Sequence, residues 1–255
     1  YTRNTQALSV QKIVNPDMYY GLPAEVEGKE YTFTIKANGV DAVEGAYTAT
    51  VNGQELENGL EFNENGVAVV KLKKDDTLRI PYLPTGSYTV TEVDADGGSL
   101  ESTDYAVDYY TRETTGGGAV TIDHTSLTGE TTIINKYTAE NPQAGLTIVK
   151  NIQGQLNGGT PFGLNVPGGE TRTYYFEIEG SDVYGKPYSD TVEVEVAAGT
   201  SSVSRNVTVP YGVYTVTEVD GSGAPIGAAA AARFDGYTWS SVSYQEDHTD
   251  FTLGQ

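Results

Sequence analysis

The amino-acid sequence points to an all-β fold built as two β-sandwiches in tandem, and three observations carry that expectation. Of 255 residues 30 are glycine and 19 tyrosine, with one tryptophan and one methionine, a usage suited to short strands and turns rather than helices. Runs such as Tyr31 to Lys36, Val67 to Leu72, Tyr88 to Val93 and Val192 to Val196 alternate or are β-rich, with Asn-Gly, Asp-Gly and Gly-Gly pairs between runs. That rhythm is the one hairpin-linked strands show when two sheets pack face to face. The third observation is a repeat: Tyr88-Thr89-Val90-Thr91-Glu92-Val93-Asp94 recurs residue for residue as Tyr214-Thr215-Val216-Thr217-Glu218-Val219-Asp220, which marks two copies of one structural unit.

Further matches follow in the same order along the chain. Leu8-Ser9-Val10-Gln11-Lys12 aligns with Leu146-Thr147-Ile148-Val149-Lys150, and Tyr31-Thr32-Phe33-Thr34-Ile35 with Tyr174-Tyr175-Phe176-Glu177-Ile178. Ile80-Pro81-Tyr82 aligns with Val209-Pro210-Tyr211. Side chains of a strand alternate between faces, so Leu8, Val10, Lys12 and Val14 share one face, as do Leu146, Ile148, Lys150 and Ile152. A lysine therefore points into each core. The heptamer turns Tyr88, Val90 and Glu92 inward, and Tyr214, Val216 and Glu218 likewise; near the end of the first copy Ile133, Asn135 and Tyr137 share parity.

The boundary is expected within Thr138 to Gly145, where Pro142 discourages both helix and central strand, giving domains 1–138 and 139–255. Tyr1-Thr2 matches Tyr137-Thr138, so an upstream repeat is expected. After Glu218 no asparagine stands in an Ile-Asn-Lys-Tyr context. The spacings from Glu92 and from His124 to Asn135 place its counterpart past Gln255. The second domain is therefore expected to lack its last strand, with Lys150 unlinked or joined to a segment beyond. Ala228 to Ala232, the one helix-compatible stretch, is too short to be stable alone and is expected to be a loop insertion.

Charge and composition exclude several function classes. Fifteen lysines and arginines against 35 aspartates and glutamates leave a net charge of −20, which repels nucleic-acid phosphates. No stretch approaches the roughly 18 apolar residues a membrane span requires. The absence of cysteine excludes disulfides, thiolate metal sites and cysteine nucleophiles. His124 and His248 sit in Asp-His-Thr triplets of different domains, read as turns before a last strand rather than as catalytic groups, and no Gly-x-Ser-x-Gly elbow or His-Glu-x-x-His occurs. Gly221-Ser222-Gly223 reads as a hairpin loop and Leu83-Pro84-Thr85-Gly86 as a turn. Glu92, Asp94, Asp96 and Gly97 fall at calcium-loop positions, but Thr103 stands where the closing glutamate belongs. No metal or cofactor is expected, with calcium between domains left open.

Burying a lone ammonium or carboxylate costs several kcal/mol or drives the group toward its neutral form. A desolvated lysine is a nucleophile, and a glutamic acid kept protonated in the same surroundings polarises a carboxamide and shuttles protons. Held rigidly together, Lys12 and Asn135 would join in an isopeptide bond with loss of ammonia, once per molecule and without turnover.

At these residues the chain resembles the Cna B-type and pilin isopeptide-linkage domains of Gram-positive surface proteins. The resemblance lies in the first-strand lysines Lys12 and Lys150, the Tyr-Thr-Val-Thr-Glu box, and a closing strand ending in Asn135-Lys136-Tyr137. It implies immunoglobulin-like sandwiches, a triad of Lys12, Glu92 and Asn135, and Lys150 with Glu218 in the second copy, the glutamates acting as the catalytic groups. It also implies a shaft or stalk segment of a sortase-assembled pilus or cell-wall adhesin, extracellular, whose partners are neighbouring pilin or repeat domains and sortase. The alternative is an adhesive module that recognises a host protein or glycan.

Overall fold

The computed structural model describes residues 5–40, 43–125, 128–227, 231, 233–244 and 251–253. The chain divides into two compact units, Tyr1–Glu140 and Asn141–Gln255. The described residues are strands and turns with one 3-10 turn at Ala24–Val26, and no helix among them is long and apolar enough to cross a membrane.

The first unit contains β1 (Thr5–Asn15), β2 (Tyr31–Asn38), β3 (Gly45–Tyr47), β4 (Thr50–Val51), β5 (Gln54–Glu55), β6 (Leu60–Phe62), β7 (Val67–Leu72), β8 (Thr77–Pro84), β9 (Gly86–Val93), β10 (Tyr110–Gly116), β11 (Gly118–Ile122) and β12 (Thr128–Ala139). One sheet runs β10-β12-β1-β8-β4-β5, the other β11-β9-β2-β7, and β3 pairs with β6. The pairing of β1 with β12 is parallel. First and last strands of the unit thus lie side by side. Alternation works as the sequence requires: Leu8, Val10 and Val14 of β1, Tyr88 and Val90 of β9, and Ile133 and Tyr137 of β12 are all buried in one apolar core.

The chain crosses from one sheet to the other at Gly116, Gly117 and Gly118, with φ of 87°, 73° and 89°. A Cβ on Gly116 would lie 2.0 Å from the Thr132 carbonyl oxygen, so the crossing needs glycine for both conformation and space.

The second unit contains β13 (Gln143–Asn151), β14 (Gln153–Gly154), β15 (Phe162–Gly163), β16 (Thr171–Asp182), β17 (Pro187–Ala197), β18 (Ser202–Pro210), β19 (Gly212–Val219) and β20 (Phe251–Leu253). Its sheets are β17-β16-β19-β20, β13-β18 and β14-β15. Its register reproduces the first unit: Phe176 lies opposite Glu218 as Phe33 lies opposite Glu92. Tyr214 donates its hydroxyl to the Pro210 carbonyl as Tyr88 does to that of Pro84, at 2.9 and 2.8 Å.

The register corrects one expectation. Val209-Pro210-Tyr211 corresponds to Leu83-Pro84-Thr85, not to Ile80-Pro81-Tyr82, because the tyrosine bond fixes Pro84 against Pro210 and a bulge between Gln6 and Leu8 shifts the first-unit pairing. The Asp-His-Thr triplet at 123–125 lies between β11 and β12, before the last strand of its unit. Leu253 lies opposite Gly212 as Ile122 lies opposite Gly86, so β20 takes the place of β11. Between the repeats β12 continues to Ala139 and β13 begins at Gln143, since the edges of β10 and β18 supply ladder bonds for both ends. His124 lies in a bend. His248 and Tyr1-Thr2 lie outside the described residues, as does the Ala228 to Ala232 stretch apart from Ala231.

Candidate functional site

In the first unit the lysine, the glutamate and the asparagine come from three strands. On the parallel pair, Lys12 lies opposite Ile133 and Val14 opposite Asn135, so both side chains leave one sheet on its inward face, two residues apart along the strands. Glu92 comes from β9 in the facing sheet and meets them in the core. Lys12 Nζ donates to Glu92 Oε2 at 2.8 Å, and Asn135 Nδ2 donates to Glu92 Oε1 at 2.7 Å. One carboxyl group holds the amine and the carboxamide together. Lys12 and Asn135 are 0% exposed, so no water screens the arrangement and the cost of desolvation falls on the lysine and glutamate pair.

The surroundings weaken the hold on the lysine proton. Burial lowers the Lys12 pKa from 10.5 to about 8, against the attraction and hydrogen bond of Glu92, and the Arg112 charge adds to the lowering. The ammonium keeps some compensation from the Tyr31 and Phe33 rings, whose centroids lie 4.5 and 5.8 Å from Nζ. Burial also raises the Tyr31 and Tyr137 hydroxyls, which stay protonated phenols. The two oxygens lie 3.3 Å apart, and Tyr137 donates to the Tyr105 carbonyl at 2.9 Å.

Two residues of this site carried no signal of their own in the sequence. Thr114 lies directly opposite Asn135 on β10 and donates its hydroxyl to Asn135 Oδ1 at 2.8 Å. Arg112, two residues earlier on the same face, donates from Nη1 to that hydroxyl and from Nη2 to the Glu101 carbonyl at 2.9 Å. The alternation of Tyr110, Arg112 and Thr114 was the available clue. An edge strand that runs out into three glycines, Gly116 to Gly118, gives no apolar stripe to orient it.

The second unit holds half of this arrangement. Lys150 Nζ donates to Glu218 Oε2 at 2.7 Å and lies 4.5 Å from the Tyr174 ring centroid. The Lys150 side chain is 15% exposed where that of Lys12 is fully buried. Among the described residues no strand pairs with the other edge of β13 and no asparagine takes the second oxygen of Glu218. In the calcium-like loop Asp94 Oδ1 accepts the backbone N–H groups of Asp96 and Gly98, both at 2.8 Å, and the described residues contain no cluster of three potential metal ligands.

Compared with known proteins, residues 6–137 match the family described as a domain of unknown function, DUF7601, and residues 146–255 match a second, DUF5979. No curated protein matches. Among solved structures, the chain is similar to a pilus-presented adhesin, Cpa, at 20% identity and a TM-score of 0.31, over 53% of this chain and 27% of that one. The chain thus spans about a quarter of that adhesin's length. A streptococcal ancillary pilin shares 16% identity with a TM-score of 0.24, over 98% of this chain and 59% of its own. A C-terminal fragment of the pilus adhesin SpaC from Lactobacillus rhamnosus GG shares 12% with a TM-score of 0.27, over 88% and 78%.

Proposed function

We propose, for a chain that belongs over residues 6–137 to the DUF7601 family, a mechanical role: a shaft or stalk segment of a Gram-positive cell-surface pilus or adhesin, hardened by an amide bond that the first unit makes within itself. The observation that supports this reading is the Glu92 carboxyl group, which engages the Lys12 amine with one oxygen and the Asn135 carboxamide with the other in a dry core. The resemblance of both repeats to Cna B-type domains supplies the cell-surface setting, with neighbouring pilin or repeat domains as partners and sortase as the joining enzyme. The surface charge of −20 suits an extended, well-solvated polymer.

The chemistry follows from the contacts. Oε2 takes a proton from Nζ, leaving a free amine; the amine adds to Cγ of Asn135; Oε1 returns a proton to Nδ2, which leaves as ammonia. The Nζ–Cγ bond forms, the Cγ–Nδ2 bond breaks, and one proton remains on Glu92 or on the departing nitrogen as ammonium. The protein is consumed as its own substrate and performs no turnover. Fixed proximity supplies much of the barrier reduction.

Such a bond would join the first strand to the last, so that tension entering through β1 leaves through β12 without loading the chain between them. The test is to pull single molecules from their two ends. The wild-type chain is expected to release none of the length between Lys12 and Asn135, whereas Asn135→Ala is expected to release roughly 40 nm more, at about 3.5 Å per extended residue. Equal extension of the two proteins would refute the mechanical role.

A further inference from the structure

We infer that Thr114, backed by Arg112, is the oxyanion donor for amide formation between Lys12 and Asn135. This rests on the reaction proposed above and assigns it a group on a fourth strand. A guanidinium can only donate, so the Thr114 oxygen accepts from Arg112 Nη1 and its single proton is left for Asn135 Oδ1. That order also fixes the carboxamide: its oxygen faces the Thr114 hydroxyl and its nitrogen faces Glu92 Oε1. Proton donor and leaving nitrogen are thereby paired on one side, and the carbonyl oxygen and its stabiliser on the other.

When the Lys12 amine adds to Cγ, the π electron pair of the carbonyl moves onto Oδ1. The charge develops on an atom already 2.8 Å from a hydroxyl donor, and that hydroxyl is polarised by a cation held in place by the Glu101 carbonyl and by the Tyr105 ring, 6.0 Å from the guanidinium carbon. Collapse returns the pair to the carbonyl and expels Nδ2 with the proton from Glu92, so Thr114 neither gains nor loses a proton overall. Arg112 Nε is buried without a hydrogen-bond partner, so the guanidinium reaches Thr114 at the cost of an unsatisfied donor. A preorganised donor of this kind is worth roughly 10²-fold to 10³-fold in rate.

The assignment is tested by timing the reaction in the whole chain. Wild type, Thr114→Val, Thr114→Ser and Arg112→Gln are made by cell-free synthesis, samples are quenched in acid, and intact mass follows the loss of one ammonia. Thr114→Val keeps the side-chain shape and is expected to slow the loss roughly 10²-fold, Arg112→Gln roughly tenfold, while Thr114→Ser, which retains the hydroxyl, stays near the wild-type rate. A structural role would not separate serine from valine in this way. Thr114→Val reacting at the wild-type rate overturns the assignment while leaving the bond itself intact. If that variant fails to fold by circular dichroism, the serine and glutamine pair decides: equal rates for Arg112→Gln and wild type overturn the assignment. A wild-type chain that never loses ammonia removes both this assignment and the reaction it rests on.

Discussion

Lys12 Nζ donates to Glu92 Oε2 across 2.8 Å, the contact through which the proposed reaction would take the lysine proton. Internal transfer therefore needs no external base. Because burial brings Lys12 down to about 8, the lysine loses its proton near that pH and none is left to pass on to the leaving nitrogen, so the rate of amide formation is expected to fall above pH 8; a rate that climbs through pH 8 would mean that solvent takes the lysine proton first. Stability carries the opposite sign in a protein that cannot close the bond. Between pH 8 and 10.5 an unfolded lysine binds more protons than buried Lys12, so unfolding becomes harder as pH rises through that window. Denaturant titration should show Asn135→Ala gaining up to about 3 kcal/mol relative to wild type from pH 7.5 to 10; no relative gain would mean that Lys12 is not held down by burial. The three core polar residues were legible from strand parity alone, because a lysine, a glutamate and an asparagine each interrupted an apolar face. Thr114 and Arg112 were not, since a threonine and an arginine on a half-buried edge strand look like ordinary sheet surface.

One corner contact is common to both copies of the heptamer. Tyr88 and Tyr214 each reach back four residues to a proline carbonyl, locking the corner between β8 and β9 and between β18 and β19 so that the glutamate lands opposite the same phenylalanine in each unit. Tyr88→Phe and Tyr214→Phe are each expected to cost about 1–2 kcal/mol, measured by chemical denaturation; a neutral substitution would remove the corner from the argument. Gly116→Ala is expected to cost at least about 2 kcal/mol, because a Cβ there meets backbone 2.0 Å away at a φ that L residues rarely adopt. Parity read the inward faces of β1, β9 and β12 correctly. Pairing register lay beyond reach: the bulge at Gln6 to Leu8 moved the proline correspondence. Pro142 discourages a central strand, and β13, which starts one residue later, is an edge strand, where a preceding proline is tolerated.

Tandem organisation was legible from the repeated heptamer, since seven identical residues in one register carry the same corner, core positions and acid. A Lys12–Asn135 bond would close nearly all of the first unit into one covalent loop, worth about 5 kcal/mol by the chain-entropy estimate. In calorimetry the Asn135→Ala chain should therefore unfold its first unit on the order of 15 °C lower than wild type while the transition of Asn141–Gln255 stays in place. Unmoved transitions would leave the bond without mechanical consequence. The bond itself is tested by intact-mass measurement of the purified, folded chain, followed by tandem mass spectrometry of its proteolytic fragments. The expected result is a mass lower than the sequence by one ammonia, with a branched peptide joining Lys12 to Asn135; an unreduced mass with a free Lys12 amine in folded protein would contradict it.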